Sequence, residues 1–187
     1  MKRHPSPSGL TLLTAAYNLP PWLTREIGRI VVHWAHFEFL VQCTVWMLLE
    51  INEKEGRVAA REPRIGDRFD MIKDLASIKN IKLSESSVNK LKIAAIRVSG
   101  WRDLLAHGVW GKDADGWKVQ QTKGRHAKDA IVPHRSKRIS PEGFLADAAG
   151  LQSITADVDR LIEEILPIRK TVKEQIAALI QKGPEQL

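Results

Sequence analysis

The chain has 187 residues, 43% of them hydrophobic, a formal net charge of +7 at pH 7 and a sequence pI of about 9.7. That length supports one domain with a real core, and the ordinary apolar content, without repeats or low-complexity tracts, excludes a disordered or fibrous chain. The positive surplus points to polyanionic partners, while the single cysteine, Cys43, excludes an internal disulfide framework and fits a reducing, cytoplasmic setting.

Residues 1–19 read as a flexible lead-in closed by Pro20-Pro21. The opening "MKRHPSPSGLTLLTAA" puts charge before a short apolar run, but "HPSPSG" interrupts it, so no secretory signal is expected. A single helical domain is then predicted over residues 20–182. Its first helix carries Leu23, Ile27, Ile30, Trp34, Phe37, Val41, Val45 and Leu48 at steps of three and four, the period of one buried face. "NEKEG" should end that helix, with Gly56 as terminator. The most hydrophobic stretch, "FLVQCTVWMLL", is too short to span a bilayer and lies between Glu38 and Glu50, so no membrane partner is expected.

A shorter helix is predicted over 65–78, with Ile65, Phe69, Ile72 and Leu75 inward. Ser84 is placed to cap a third helix running to about His107, which Gly108 closes. "VWGKDADGWKVQQT" predicts two short strands around an Asp-Gly turn, within a basic hairpin and loop insertion over 109–139. Ser140-Pro141-Glu142 restarts a helix, serine as cap and proline at its first position. Leu151, Ile154, Val158, Leu161, Ile165, Ile168, Val172, Ile176 and Leu179 hold one helical phase through Pro167, so that proline sits inside one long helix. The expected fold is all-α: an up-and-down bundle of four to five helices with a small β-hairpin after the third.

The third helix ends in "GWRDLLAHG", where Arg102, Asp103 and His107 lie close together in sequence. Two apolar stripes lead to them. One runs Leu91, Ala95, Val98, Arg102, Leu105; the other runs Ile93, Ile96, Gly100, Asp103, His107. Both stripes are expected to be buried, and a charge in such a place is costly unless it is paired or faces a wet cleft or a partner chain. Gly100 would allow close approach of another backbone or a substrate. Asp103 and His107 are four apart, neighbours on a helix surface, so Asp103 is expected to orient the imidazole. An arginine to hold phosphate beside a histidine to move protons is the equipment needed to cleave RNA without a metal. The same residues also fit a plain helix end, with Arg102 paired to a neighbour such as Glu38 or Glu50.

At these residues the chain resembles the HEPN superfamily, whose signature is an arginine, four to six residues, then a histidine. Here it reads Arg102, Asp103-Leu104-Leu105-Ala106, His107, with a polar residue directly after the arginine. The likeness spans residues 20–182 as architecture, and the six-residue motif is its specific part. The hairpin is additional to the minimal bundle. The resemblance implies a homodimer whose two motifs share one cleft, and, in active members, metal-independent endoribonuclease activity without a cofactor, often as a toxin or in defence against phage. A homodimer, RNA and an antitoxin or second subunit are the partners it implies. It equally admits a non-catalytic binding or regulatory module, since some members serve in binding or assembly.

Residues 118–138 hold seven Lys or Arg and one acid. Lys118, Lys123, Arg125, Lys128, Arg135, Lys137 and Arg138 could hold an RNA backbone through phosphate contacts, or form a solvated loop. Trp101, Trp110 and Trp117 bracket the region and could stack on bases or pack in the core. His33, His36 and Cys43 lack a convincing fourth ligand, so no metal site is expected. No glycine-rich phosphate loop and no nucleophile elbow is present.

Overall fold

A computed structural model describes residues 19–59, 63–113, 116–120, 144–145 and 148–181. Five helices and three short strands run in the order α1 (Pro21–Leu49), α2 (Glu53–Ala59), α3 (Ile65–Ile78), α4 (Glu85–His107), β1 (Val109–Asp113), β2 (Gly116–Gln120), β3 (Phe144–Leu145) and α5 (Ala148–Gln181). The fold is an all-α bundle carrying a small β element. α1 packs against α3 and α5, and α4 packs against the same two, so the four long helices form a ring. Across that ring α1 and α4 touch directly.

Pro21 starts α1 at a position where its missing N–H costs nothing, and the expected stripe is buried from Leu23 to Leu48, with Ile27 half-buried. The end of this helix differs from expectation. Glu50, in the left-handed region at φ 58°, stops α1, and its N–H bonds the Met47 carbonyl. "NEKEG" instead opens α2. Asn52 Oδ1 accepts from the Glu55 N–H at 3.0 Å, and Glu55 Oε2 accepts from the Asn52 N–H at 2.9 Å, a reciprocal capping box. Gly56 is therefore not a terminator. It is buried inside α2, where a Cβ would lie 2.4 Å from the Trp46 indole. With α2 present, the β element follows the fourth helix, not the third.

α3 has the expected bounds, with Ile65, Phe69 and Ile72 buried and Leu75 half-buried. Ser84 caps α4 through its hydroxyl and the Ser87 N–H. Of the two stripes on α4, the first is buried at Leu91, Ala95, Val98 and Leu105. The second is not: Ile93 is 69% and Ile96 42% exposed, and nothing lies within 4 Å of a Cβ built on Gly100. Ile96 touches α3 at Gly66 but stays partly in solvent, and Ile93 and Gly100 are open. The helix is apolar on more than its buried face, which periodicity alone cannot distinguish from double burial.

β1 and β2 pair antiparallel as expected, Trp110 opposite Val119 and Asp113 opposite Gly116; residues 114–115 between them lie outside the described residues. A third strand was not anticipated: Phe144 and Leu145 pair with Val119 and Lys118. The helix restart expected at 140–142 falls outside the described residues, and the long helix itself begins at Ala148, after that strand. α5 then runs unbroken through Pro167, buried at Leu151, Ile154, Val158, Leu161, Ile165 and Val172. Leu179, expected inward, is exposed.

Two cores result. The larger joins Trp34, Phe37, Val41 and Val45 of α1 to Phe69 and Ile72 of α3, Leu91 and Val98 of α4, and Val158 and Ile165 of α5. The smaller holds Leu23, Ile30, Trp101, Leu104, Leu105, Val119, Leu151 and Ile154, with Trp110 and Trp117 against it. The three tryptophans bracketing the motif thus pack the β element onto the bundle, and the Trp110 indole N–H donates to the Leu105 carbonyl at 3.1 Å. Residues 1–18 of the expected lead-in lie outside the described residues, while Leu19 packs on the smaller core.

Candidate functional site

The motif occupies the last two turns of α4, directly above the smaller core. Trp101, Leu104 and Leu105 fix those turns in the protein, and Gly108, whose N–H bonds the Leu104 carbonyl at 2.8 Å, ends them. Gly108 is extended (φ −74°, ψ 159°), so the chain passes straight from the helix into β1 without a left-handed turn. Arg102 and His107 are five residues apart, which turns them about 140° from each other on the helix. Arg102 points inward across the ring; His107 is exposed.

Arg102 meets α1. Its Cζ lies 5.6 Å from the centroid of the Trp34 ring, a cation–π contact. Trp34 is itself braced by Phe37 at 5.3 Å, and Phe37 by Phe69 at 6.4 Å, so the arginine rests on an aromatic platform joining α1 to α3. Arg102 Nη2 lies 3.6 Å from Glu38 Oε2, and its Nη1 lies 2.9 Å from Asp103 Oδ1. The side chains of Arg102, Glu38 and Asp103 are 22%, 29% and 49% exposed. Arg102 Nε is buried without a hydrogen-bond partner.

The role expected of Asp103 is corrected by this geometry. Its carboxylate pairs with Arg102, not with His107, and among the described residues no hydrogen bond or ion pair engages His107. The pairing foreseen for Arg102 falls to Glu38; Glu50 instead bonds Lys79 at the opposite end of α1.

Arg68 is the residue that sequence patterning missed. It lies in the first turn of α3, nearly buried, with its Nη1 4.0 Å from the second oxygen of Glu38 and its Nε unpartnered. The signal was present: Arg68 lies three residues after Ile65 and four before Ile72, a charge on the apolar face beside Phe69. Glu26 is a further buried charge, on α1 toward the smaller core, with Arg25 at 3.4 Å and Arg29 at 3.6 Å.

The other expected participants are dispersed. Lys118 lies in β2 opposite Gly111 and Leu145. Lys123, Arg125, Lys128, Arg135, Lys137 and Arg138 lie outside the described residues. His33 Nδ1 is 2.6 Å from Asp159 of α5, His36 is exposed, and Cys43 is half-buried, where burial pushes its thiol pKa up. Among the described residues no group of three His, Cys, Asp or Glu could hold a metal ion, and no helix is long and apolar enough to cross a membrane. No protein-family model matches the chain, and no curated protein or solved structure does so either.

Proposed function

We propose that this protein is a metal-independent endoribonuclease of HEPN type, working as a homodimer in which Arg102 and His107 of both copies share one cleft. The observation that carries the proposal is the pairing of opposites at the end of α4: an arginine held over Trp34 with an unsatisfied Nε, and an exposed histidine without a partner among the described residues. Among the described residues His107 takes no part in holding the helix end together, the part a purely structural motif would give it.

The exposed stripe supports the second copy. Ile93, Ile96 and the open Gly100 lead directly to Asp103 and His107, so a chain seated there would bring its own motif close to this one. Two histidines would then face one scissile phosphate. One accepts the proton of the ribose 2′-OH as that oxygen attacks phosphorus. The other gives a proton to the departing 5′-oxygen as the P–O5′ bond breaks, leaving a 2′,3′-cyclic phosphate and a 5′-hydroxyl. Arg102 stabilises the extra negative charge on the non-bridging oxygens. Lys118 and the basic run to Arg138 supply sequence-independent hold on the RNA backbone.

One observation favours a second function, a non-catalytic module binding nucleic acid or a partner protein: Arg102 is already met by two carboxylates, and Asp103 serves it instead of His107. The test is cleavage of labelled structured and single-stranded RNA in EDTA by wild type and by His107→Ala, matched for helical content and dimer fraction. Cutting that leaves a cyclic phosphate and vanishes in the mutant supports the nuclease. RNA binding without cutting by wild type across a broad panel supports the module.

A further inference from the structure

We infer that Glu38, which the motif does not contain, is the positioning residue for Arg102, setting the direction of its guanidinium from across the bundle. The inference rests on the functional role proposed for Arg102. Asp103 cannot do this work. It sits next to Arg102 on the same helix end, it is the more exposed of the two carboxylates, and it moves with whatever moves α4. Glu38 comes from α1, in the middle of a 29-residue helix whose neighbours Trp34, Phe37 and Val41 are fully buried. A carboxylate anchored there refers Arg102 to the rigid core.

Glu38 is in turn held from two sides. Its Oε2 faces Arg102 of α4 at 3.6 Å and its Oε1 faces Arg68 of α3 at 4.0 Å, so one carboxylate lies between guanidinium groups from two helices. With one arginine alone, Glu38 could swing to follow it. With Arg68 nearly buried on the other side, swinging toward Arg102 would strand a second charge in the interior. The Trp34 ring, its centroid 5.6 Å from Cζ, adds a cation–π contact from α1 to the same guanidinium. Arg68, Glu38, Trp34 and Arg102 therefore form one unit spanning α3, α1 and α4. A substrate phosphate arriving from solvent displaces Asp103, the exposed partner, from Nη1, while Nη2 stays against Glu38.

The variant is Glu38→Gln, which keeps shape and removes charge, with Glu50→Gln at the far end of α1 as control. In RNA cleavage kcat is expected to fall about a hundredfold, the scale on which a misplaced group costs rate, with KM little changed; Glu50→Gln should match wild type. A rise in kcat, or a tighter KM, would overturn the inference, because Glu38 would then be a competitor for the arginine. The second readout needs no RNA. The Arg102 Nη2 resonance, assigned by its loss in Arg102→Lys, should be resolved in wild type because Nη2 is held against Glu38, and should merge into the averaged exposed-arginine signal in Glu38→Gln. An unchanged resonance overturns the inference whatever the kinetics. Should wild type cut no RNA, the nuclease proposal fails while this resonance still decides the role of Glu38. If Glu38→Gln loses helical signal, Glu38→Asp keeps the charge but retracts it by one methylene, and the same loss of the Arg102 signal is expected.

Discussion

Gly100→Ala should make the single chain more stable and the assembly weaker. Glycine in a helix interior costs about 0.8–1.0 kcal/mol relative to alanine. Gly100 lies seven residues inside the end of α4, and a Cβ there meets nothing within 4 Å, so no clash offsets the gain. For a domain of this size about 1 kcal/mol raises Tm by about 2–4 °C, read at protein concentrations low enough to keep the chain monomeric. If a second copy seats its backbone on this bare patch beside Ile93 and Ile96, the added methyl enters a close contact, and overpacking of that kind costs about 1–3 kcal/mol. Sedimentation equilibrium should then show a dimer Kd raised at least about fivefold, with RNA cleavage lost in parallel at equal chain concentration. A stabilised chain with unchanged self-association would refute the seating of a partner at Gly100. A destabilised monomer would refute the open environment itself.

The contrasting glycine tests the same physics inside the chain. Gly56→Ala should destabilise by about 1–2 kcal/mol, overpacking against the Trp46 indole outweighing helix propensity; urea unfolding with tryptophan fluorescence would show a lower midpoint at unchanged slope. Asp70, hydrogen-bonded to Lys92 and Lys73, has its pKa lowered by those amines. Its contribution to holding α3 on α4 is therefore complete above the unfolded carboxylate range and lost as pH falls through the lower folded value, so wild type and Asp70→Asn should differ in Tm at neutral pH and converge in acid. Cys43, whose thiol pKa is raised by burial, should react with a disulfide reagent more slowly at neutral pH in the folded chain than in urea; equal rates would place the thiol in water.

Most of the helical frame was legible in the chain because it follows from local rules. The 3.6-residue period placed α1, α3 and α5, carried α5 through Pro167, and Ser84 capped α4 where it stood. A local rule also makes α2: Asn52 and Glu55 form a capping box that turns an apparent terminus into a helix start, and Gly56 fits against Trp46 instead of making a turn. What periodicity cannot supply is the neighbour. It showed two apolar stripes on α4 and could not say that one would be buried against the bundle while the other would stay largely exposed, since both repeat alike in one dimension. Nor could spacing decide Asp103, which is within reach of His107 four residues on and of Arg102 beside it; in the structure it pairs with the arginine. Identity and position of the motif were set by the sequence. The company that Arg102 keeps, with Glu38 reaching from 64 positions earlier and Arg68 from 34, exists only because packing Trp34, Phe37 and Phe69 into one core draws three helices to the same point.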